Sequence, residues 1–443
     1  MNKFMSLLEN YFMPFAGKLA AQRHLQALRD GIILAMPMII IGSIFLILGY
    51  LPIPGYADFM ARTFGDQWLA KLTYPTDATF NMMGLIAAFG IAYRLAEKYG
   101  LDGITSGVIS LCAFLLATPF NVPFTPEGAK TAVEVGGAIP VAYMGSKGLF
   151  VAILIGLFST EVYRFIVKKN IVIKMPDGVP PAVSKSFVAL IPGLVVVLIV
   201  WVLRLIVEHF GISSIHDIVS LVLGKPLGLL GGSLWGMIIA VFLVQLLWSA
   251  GLHGSNIVGG VMQPIWLAAT GENMEAYKAG HELPHIITQQ FYEVFVNIGG
   301  SGATFGLVVI MMMWSKSLQM KQLGKLAFPP GAFMINEPII FGMPIVMNAL
   351  MIIPFFLAPI ANVILTYVGM DLGWVAKPAG IAIPWTTPPL IGGYLATGGH
   401  ISGAVMQLVS IVADFFIYLP FYKMWDKQLF NQENGIDTTK KAS

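Results

Sequence analysis

Residues 328–344 read FPPGAFMINEPIIFGMP. The stretch is oily enough for the interior of a bilayer, yet its prolines remove helical donors and its glycines loosen the chain, so one continuous helix is excluded. Unpaired backbone amides in hydrocarbon cost several kcal/mol each, and broken segments at membrane depth must therefore be buried in protein or face a water-filled cavity. A second segment of the same kind, KPAGIAIPWTTPPLIGGYLATGG, occupies residues 377–399. Re-entrant hairpins lining a central site are the expected arrangement, as in transporters built on interrupted helices. Proline-rich loops just outside the bilayer are the plainer alternative.

Composition agrees with a membrane setting. The chain has 443 residues, 56% hydrophobic and only 11% charged; a soluble protein would carry about 25% charged residues. Apolar runs of membrane-crossing length recur. The expected fold is all-α and polytopic, with about ten spans: roughly 30–51, 79–98, 103–120, 147–167 and 186–208, then 233–252, 254–270, 297–315, 344–369 and 401–421. An even number puts both termini on one side. Eighteen of the 26 basic residues fall in the segments that share that side, among them Arg94, Lys98, Lys168, Lys174, Lys321 and Lys427, so both ends are expected in the cytoplasm.

The basic loop at about 164–185 divides the chain. The expected units are an amphipathic segment over 1–29, a transmembrane half over 30–210, a second half over 211–425 and a tail over 426–443. Phe4, Leu7, Leu8, Tyr11, Phe12 and Phe15 recur at helical spacing and suit either a helix on the membrane surface or a cap on the bundle. In the second half, Ile212, Ile215, Ile218, Val219 and Val222 oppose Ser213, Ser214, Asp217 and Ser220, the pattern of a short interfacial helix. Cys112, the single cysteine, is read as a buried packing residue.

Three residues could carry chemistry. Glu337, inside the first broken segment, is a carboxylate at membrane depth; it costs at least about 2.5–3.5 kcal/mol there and normally faces a cavity or a partner. Pro338 is expected to deprive the Met334 carbonyl of its helical donor, leaving Asn336 and Glu337 beside loosened backbone. The competing reading is an acid paired for helix packing. His253 sits in GLHGSN, 251–256, among small residues that admit close approach; it suits proton exchange near neutral pH and equally a satisfied structural role. Trp385, between Pro384 and Thr386, offers a flat face to sugar C–H surfaces and an N–H to a hydroxyl; an interfacial tryptophan reads the same. GxxxG at 232–236, 302–306 and 399–403 signals close helix packing. No Walker loop, zinc spacing or cofactor fingerprint appears, so neither an ATP-driven pump nor a metal enzyme is expected, and nothing points to nucleic acid.

GLHGSN at 251–256, FMINEPIIFGMPIVMN at 333–348 and PWTTPP at 384–389 together resemble enzyme IIC, the membrane subunit of the bacterial sugar phosphotransferase system, in its lactose/cellobiose/diacetylchitobiose branch. The resemblance covers nearly the whole chain. It implies a homodimer of ten-helix subunits in the inner membrane, with the first half forming the dimer contact and two re-entrant hairpins in the second. It implies that Glu337 and His253 lie near the hydroxyl to be phosphorylated, that Trp385 packs on the sugar, and that Asn256, Asn336 and Thr386 help bind it. The phosphoryl donor it implies is a phosphocysteine on a separate enzyme IIB, and the sugar a cellobiose- or N,N'-diacetylchitobiose-type disaccharide, with lactose the other choice. An ion-coupled secondary transporter would use the same broken helices and the same carboxylate as an ion carrier; a sugar-blind membrane receptor is the third class.

Overall fold

The computed structural model describes residues 18, 21–51, 53–126, 131, 133–176, 178–343, 345, 348 and 350–435. The surface helix expected over 1–29 falls mostly outside them, as does the end of the 426–443 tail.

The chain is mostly helical. In order come α1 (Arg23–Ile33), α2 (Met36–Gly49), α3 (Trp68–Thr79), α4 (Met83–Lys98), α5 (Gly103–Ala117), α6 (Leu149–Lys168) and α7 (Leu190–His209). There follow α8 (Leu234–Ser249), α9 (Gly254–Lys278), α10 (Phe305–Trp314), α11 (Leu318–Ala332), α12 (Glu337–Gly342), α13 (Ile352–Asp371), α14 (Ile391–Ala396) and α15 (Ile401–Glu433). The all-α expectation needs one amendment. β1 (Asn121–Phe124) and β2 (Val133–Gly136) form an antiparallel hairpin between α5 and α6, with Asn121 opposite Gly136.

Among the described residues six helices are long and apolar enough to cross a membrane: 23–49, 68–98, 146–168, 183–209, 352–371 and 401–433. The pair 215–231 and 234–249, bent by 74°, makes a seventh by the same criteria. Six of the expected spans fall on these helices; α5 and α10 are shorter apolar helices, and α8 is the second arm of the bent pair. α7 shows what solvent the outer surface suits. Only Pro192, Val196 and Val200 are buried on it, while Leu194, Leu198, Trp201 and Leu205 stand exposed. A helix apolar all round, half of it uncovered, belongs in lipid. Cys112 also stands on the outer surface rather than in the core, because α5 buries Ser106, Ser110, Ala113 and Phe114 instead.

A short helix forms over Ile215–Val219 as expected, but its burial does not follow the apolar stripe. Ser214 caps it by accepting from Asp217 N at 3.2 Å, and the Tyr143 hydroxyl donates to Asp217 at 3.0 Å. His216 is buried, stacked on Tyr143 at 4.4 Å and bonded through Nε2 to the Thr118 hydroxyl at 2.9 Å. Val222 and Leu221 are exposed. Ser214, His216 and Val219 turn toward protein, where the two polar side chains find partners, while Ser213 and Ser220 stay exposed.

Both broken segments interrupt helices. α11 runs through Pro329 and Pro330, so the break falls later, at Phe333–Asn336, where Met334 adopts a left-handed φ of 65°. Pro338 then stands in the first turn of α12, where no amide hydrogen is needed, so it starts a helix. In the second segment Ala379, Ile381, Ala382 and Ile383 are buried, and protein groups satisfy their backbone. Ala382 N donates to Ser43 Oγ at 3.0 Å, and Ala379 N to Ala396 O at 2.8 Å. Gln407 Oε1 accepts from Leu390 N and Gly393 N at 2.6 and 2.7 Å. This is how irregular backbone survives away from water.

Candidate functional site

The two breaks and the start of α9 converge on one cleft of about 640 Å³. His253, Asn256, Asn336, Glu337 and Trp385, five of the six residues singled out from sequence, line it; Thr386 does not.

His253 is placed by a tight reversal between α8 and α9. Gly251 takes a φ of 76°, and a Cβ at Gly254 would lie 2.0 Å from the Val244 carbonyl oxygen, so glycine is required at the turn. His253 then caps α9, its Nδ1 accepting from Asn256 N at 3.3 Å, with its ring 4.5 Å from that of Trp248. The imidazole and Asn256 stay exposed to the cleft. Glu337 opens α12 with its side chain exposed and in no ion pair among the described residues. Glu337, His253 and Arg29 line the same cleft.

Asn336 serves the scaffold as well as the lining. Its amide donates to Ser301 O at 2.6 Å and Thr304 Oγ1 at 3.0 Å, tying the break to the loop before α10. Gly300 in that loop has a φ of 94°, and a Cβ there would come within 2.4 Å of Asn336 Cγ. Ser255 and Ser301 share a hydrogen bond of 3.0 Å across the cleft. Trp385 is 51% exposed at the tip of a turn closed by Thr387 N to Pro384 O at 2.9 Å. Half its indole is therefore free for a ligand.

Sequence reasoning missed the wall built by residues 289–297. Gln289, Glu293 and Asn297 line the cleft beside Tyr292, which stacks on Trp266 at 4.6 Å. Gln289 Nε2 donates to Glu293 Oε1 at 2.8 Å, while Gln289 Oε1, Glu293 Oε2 and Asn297 Oδ1 are buried without a protein partner among the described residues. Buried acceptors left unmatched by protein suit the hydroxyl donors of a carbohydrate. The available signal was Glu293 itself, a carboxylate inside the apolar run FYEVFV. Arg29, Met36, Pro37 and Ile40 of α1 and α2 close the other side. The whole is a concave site with an aromatic platform, unpaired polar groups, a carboxylate and an imidazole, able to hold a polyhydroxylated ring and exchange a proton with it.

A protein-family model described as "Phosphotransferase system, EIIC" matches residues 29–359. The lichenan permease IIC component of Bacillus subtilis is 63% identical over 99% of this chain and 97% of its own. The cellobiose-specific EIIC component of Geobacillus stearothermophilus is 59% identical over 99% and 98%. Among solved structures, the crystal structure of the transporter ChbC, the IIC component from the N,N'-diacetylchitobiose-specific phosphotransferase system, superposes with a TM-score of 0.94 at 55% identity, covering 97% of this chain and all of that one.

Proposed function

The chain belongs to the EIIC family of the phosphotransferase system, and we propose that it carries a β-linked disaccharide of the cellobiose or N,N'-diacetylchitobiose type for phosphorylation at the 6-hydroxyl. It is a membrane-embedded permease component working with the other proteins of such a system. The carrying observation is the cleft, which gathers Glu337, His253, Asn256 and Trp385 with the unmatched acceptors of Gln289, Glu293 and Asn297. Trp385 stacks on a sugar ring, and Asn256, Asn336 and Thr386 belong to the binding turns. Glu337 accepts the hydroxyl proton, and His253 orients the hydroxyl or supports the charge of the transferring group. The donor is a phosphocysteine on a separate enzyme IIB, docked from the cytoplasm.

In the same reading the two broken segments are re-entrant hairpins, α5, α8, α9 and α10 complete ten crossings of the plasma membrane, and both termini are cytoplasmic. The half over 30–210 mediates a homodimer, and the half over 211–425 holds most of the sugar site. Two features support this: the second broken segment buries residues 378–383 and pairs its backbone with protein groups, and the basic residues gather in the loops assigned to one side.

Calorimetric binding of purified protein to cellobiose, N,N'-diacetylchitobiose and lactose tests the substrate; binding of none of them sinks the reading. The Glu337→Gln variant tests the base. Sugar affinity is expected to persist while transfer from phospho-enzyme IIB falls by about 10²-fold or more, the scale of general-base catalysis. Transfer at the wild-type rate removes Glu337 from that role.

A further inference from the structure

The cleft that holds Glu293 and Glu337 also holds the guanidinium of Arg29, the only lysine or arginine side chain among its described lining residues. A neutral disaccharide has no charge for it to answer. A phosphoryl group in transfer does, since charge spreads over its oxygens and catalysis rests on cations fixed in advance where that charge develops. Arginine suits this task because its planar fork matches phosphate oxygens.

The position fits. α1 packs on α9 at Gly260, where a Cβ would lie 3.8 Å from Arg29 Cβ and 3.5 Å from the Leu25 carbonyl oxygen. Asn256 is one helical turn, about 5.4 Å, nearer the α9 N-terminus, and His253 caps that end. Arg29 therefore stands on the helix face packed against the start of α9, and it lines the same cleft as His253 and Glu337. The guanidinium is also held in place. Nε and Nη2 donate to Asp30 Oδ1 at 2.8 and 2.6 Å, and Lys98 Nζ lies 3.1 Å from Asp30 Oδ2 and 3.1 Å from Gln26 Oε1. One edge of the fork is fixed by the Asp30–Lys98 chain, while Nη1 has no protein partner among the described residues.

We propose that Arg29 is a catalytic residue that binds the phosphoryl oxygens during transfer and the phosphate of the product afterwards. The inference rests on the phosphotransfer reading above. In the step it serves, the sugar 6-hydroxyl oxygen forms the new O–P bond as the P–S bond breaks. The cysteine sulfur leaves with the bonding pair as a thiolate on enzyme IIB, and the hydroxyl proton passes to Glu337. Arg29 neither gains nor loses a proton.

Arg29→Gln and Arg29→Lys in the full-length protein, reconstituted in vesicles, test the assignment with the disaccharide that the wild type binds. Arg29→Gln is expected to keep sugar affinity within about threefold while single-turnover transfer from phospho-enzyme IIB drops by about 10²-fold or more. Arg29→Lys should restore at least about tenfold of it, because a point charge replaces part of the fork. The affinity of the 6-phosphorylated disaccharide should fall in Arg29→Gln while that of the free disaccharide does not. Wild-type transfer in Arg29→Gln overturns the proposal. So does a loss of sugar affinity equal to the loss of transfer with no rescue by lysine, which assigns Arg29 to the wall of the cleft. If the wild type binds sugar but takes no phosphoryl group from phospho-enzyme IIB, the underlying reading fails instead, and Arg29 loses its role with it.

Discussion

His253 gives its Nδ1 lone pair to the amide of Asn256, so the neutral ring carries its hydrogen on Nε2 and meets the cleft as a donor. A donor can steady a sugar or phosphoryl oxygen but cannot take the hydroxyl proton, which agrees with the proposal that Glu337 is the base. His253→Gln, which keeps a donor of similar reach, is therefore expected to retain transfer about tenfold better than His253→Ala in the phospho-enzyme IIB assay; equal losses would contradict the donor role. Trp385 is half free, and Trp385→Ala should weaken disaccharide binding by about 1–2 kcal/mol, roughly 5- to 30-fold, with Trp385→Phe losing less; calorimetry decides. Glu337 was legible in the sequence because a carboxylate between an asparagine and a proline in an apolar run has few structural uses. Glu293 bore the same mark in FYEVFV. It was passed over because 271–296 falls between runs long enough to be spans, and hydropathy does not distinguish a loop from a cavity wall.

The break between α11 and α12 is an element whose shape depends on its neighbour. Asn336 reaches the loop before α10 only because Gly300 lacks a side chain and adopts a φ of 94°. Gly300→Ala combines a left-handed backbone with a clash and should cost about 2 kcal/mol or more, read as a lowered melting temperature in detergent. Gly228→Ala, where a Cβ meets nothing within 4 Å, should leave the melting temperature unchanged or raise it. Sequence located both interrupted segments, since proline and glycine act locally. Within the first, the break falls at Phe333–Asn336, because Pro329 and Pro330 are accommodated in the last turn of α11, a matter of tertiary surroundings. The burial of the short helix Ile215–Val219 has the same cause. An amphipathic stripe says that two faces differ, and only the partners Tyr143 and Thr118 decide which one turns inward.

At the scale of the whole molecule, solvent class was the most legible property and the number of crossings the least. Long uniform spans such as α7 announce themselves, whereas α5 and α10 are too short to do so alone. Cys112 was misjudged because an apolar neighbourhood in sequence is the same for a core-facing and a lipid-facing position. Its exposure makes a test: a nitroxide on Cys112 in vesicles should collide freely with oxygen and rarely with a water-soluble nickel chelate, and the reverse preference would put α5 in water. If a second copy covers this surface, both collision rates fall. One consequence follows from the cleft itself, whose walls come from α1 and α2, from the α8–α9 turn, from residues 289–301 and from the two broken segments. A guest bridging stretches so distant along the chain favours the folded arrangement by mass action, worth about 2.7 kcal/mol at one hundred times its dissociation constant. The empty carrier is accordingly the looser one, and a cell short of sugar holds its transporter in the form most open to rearrangement.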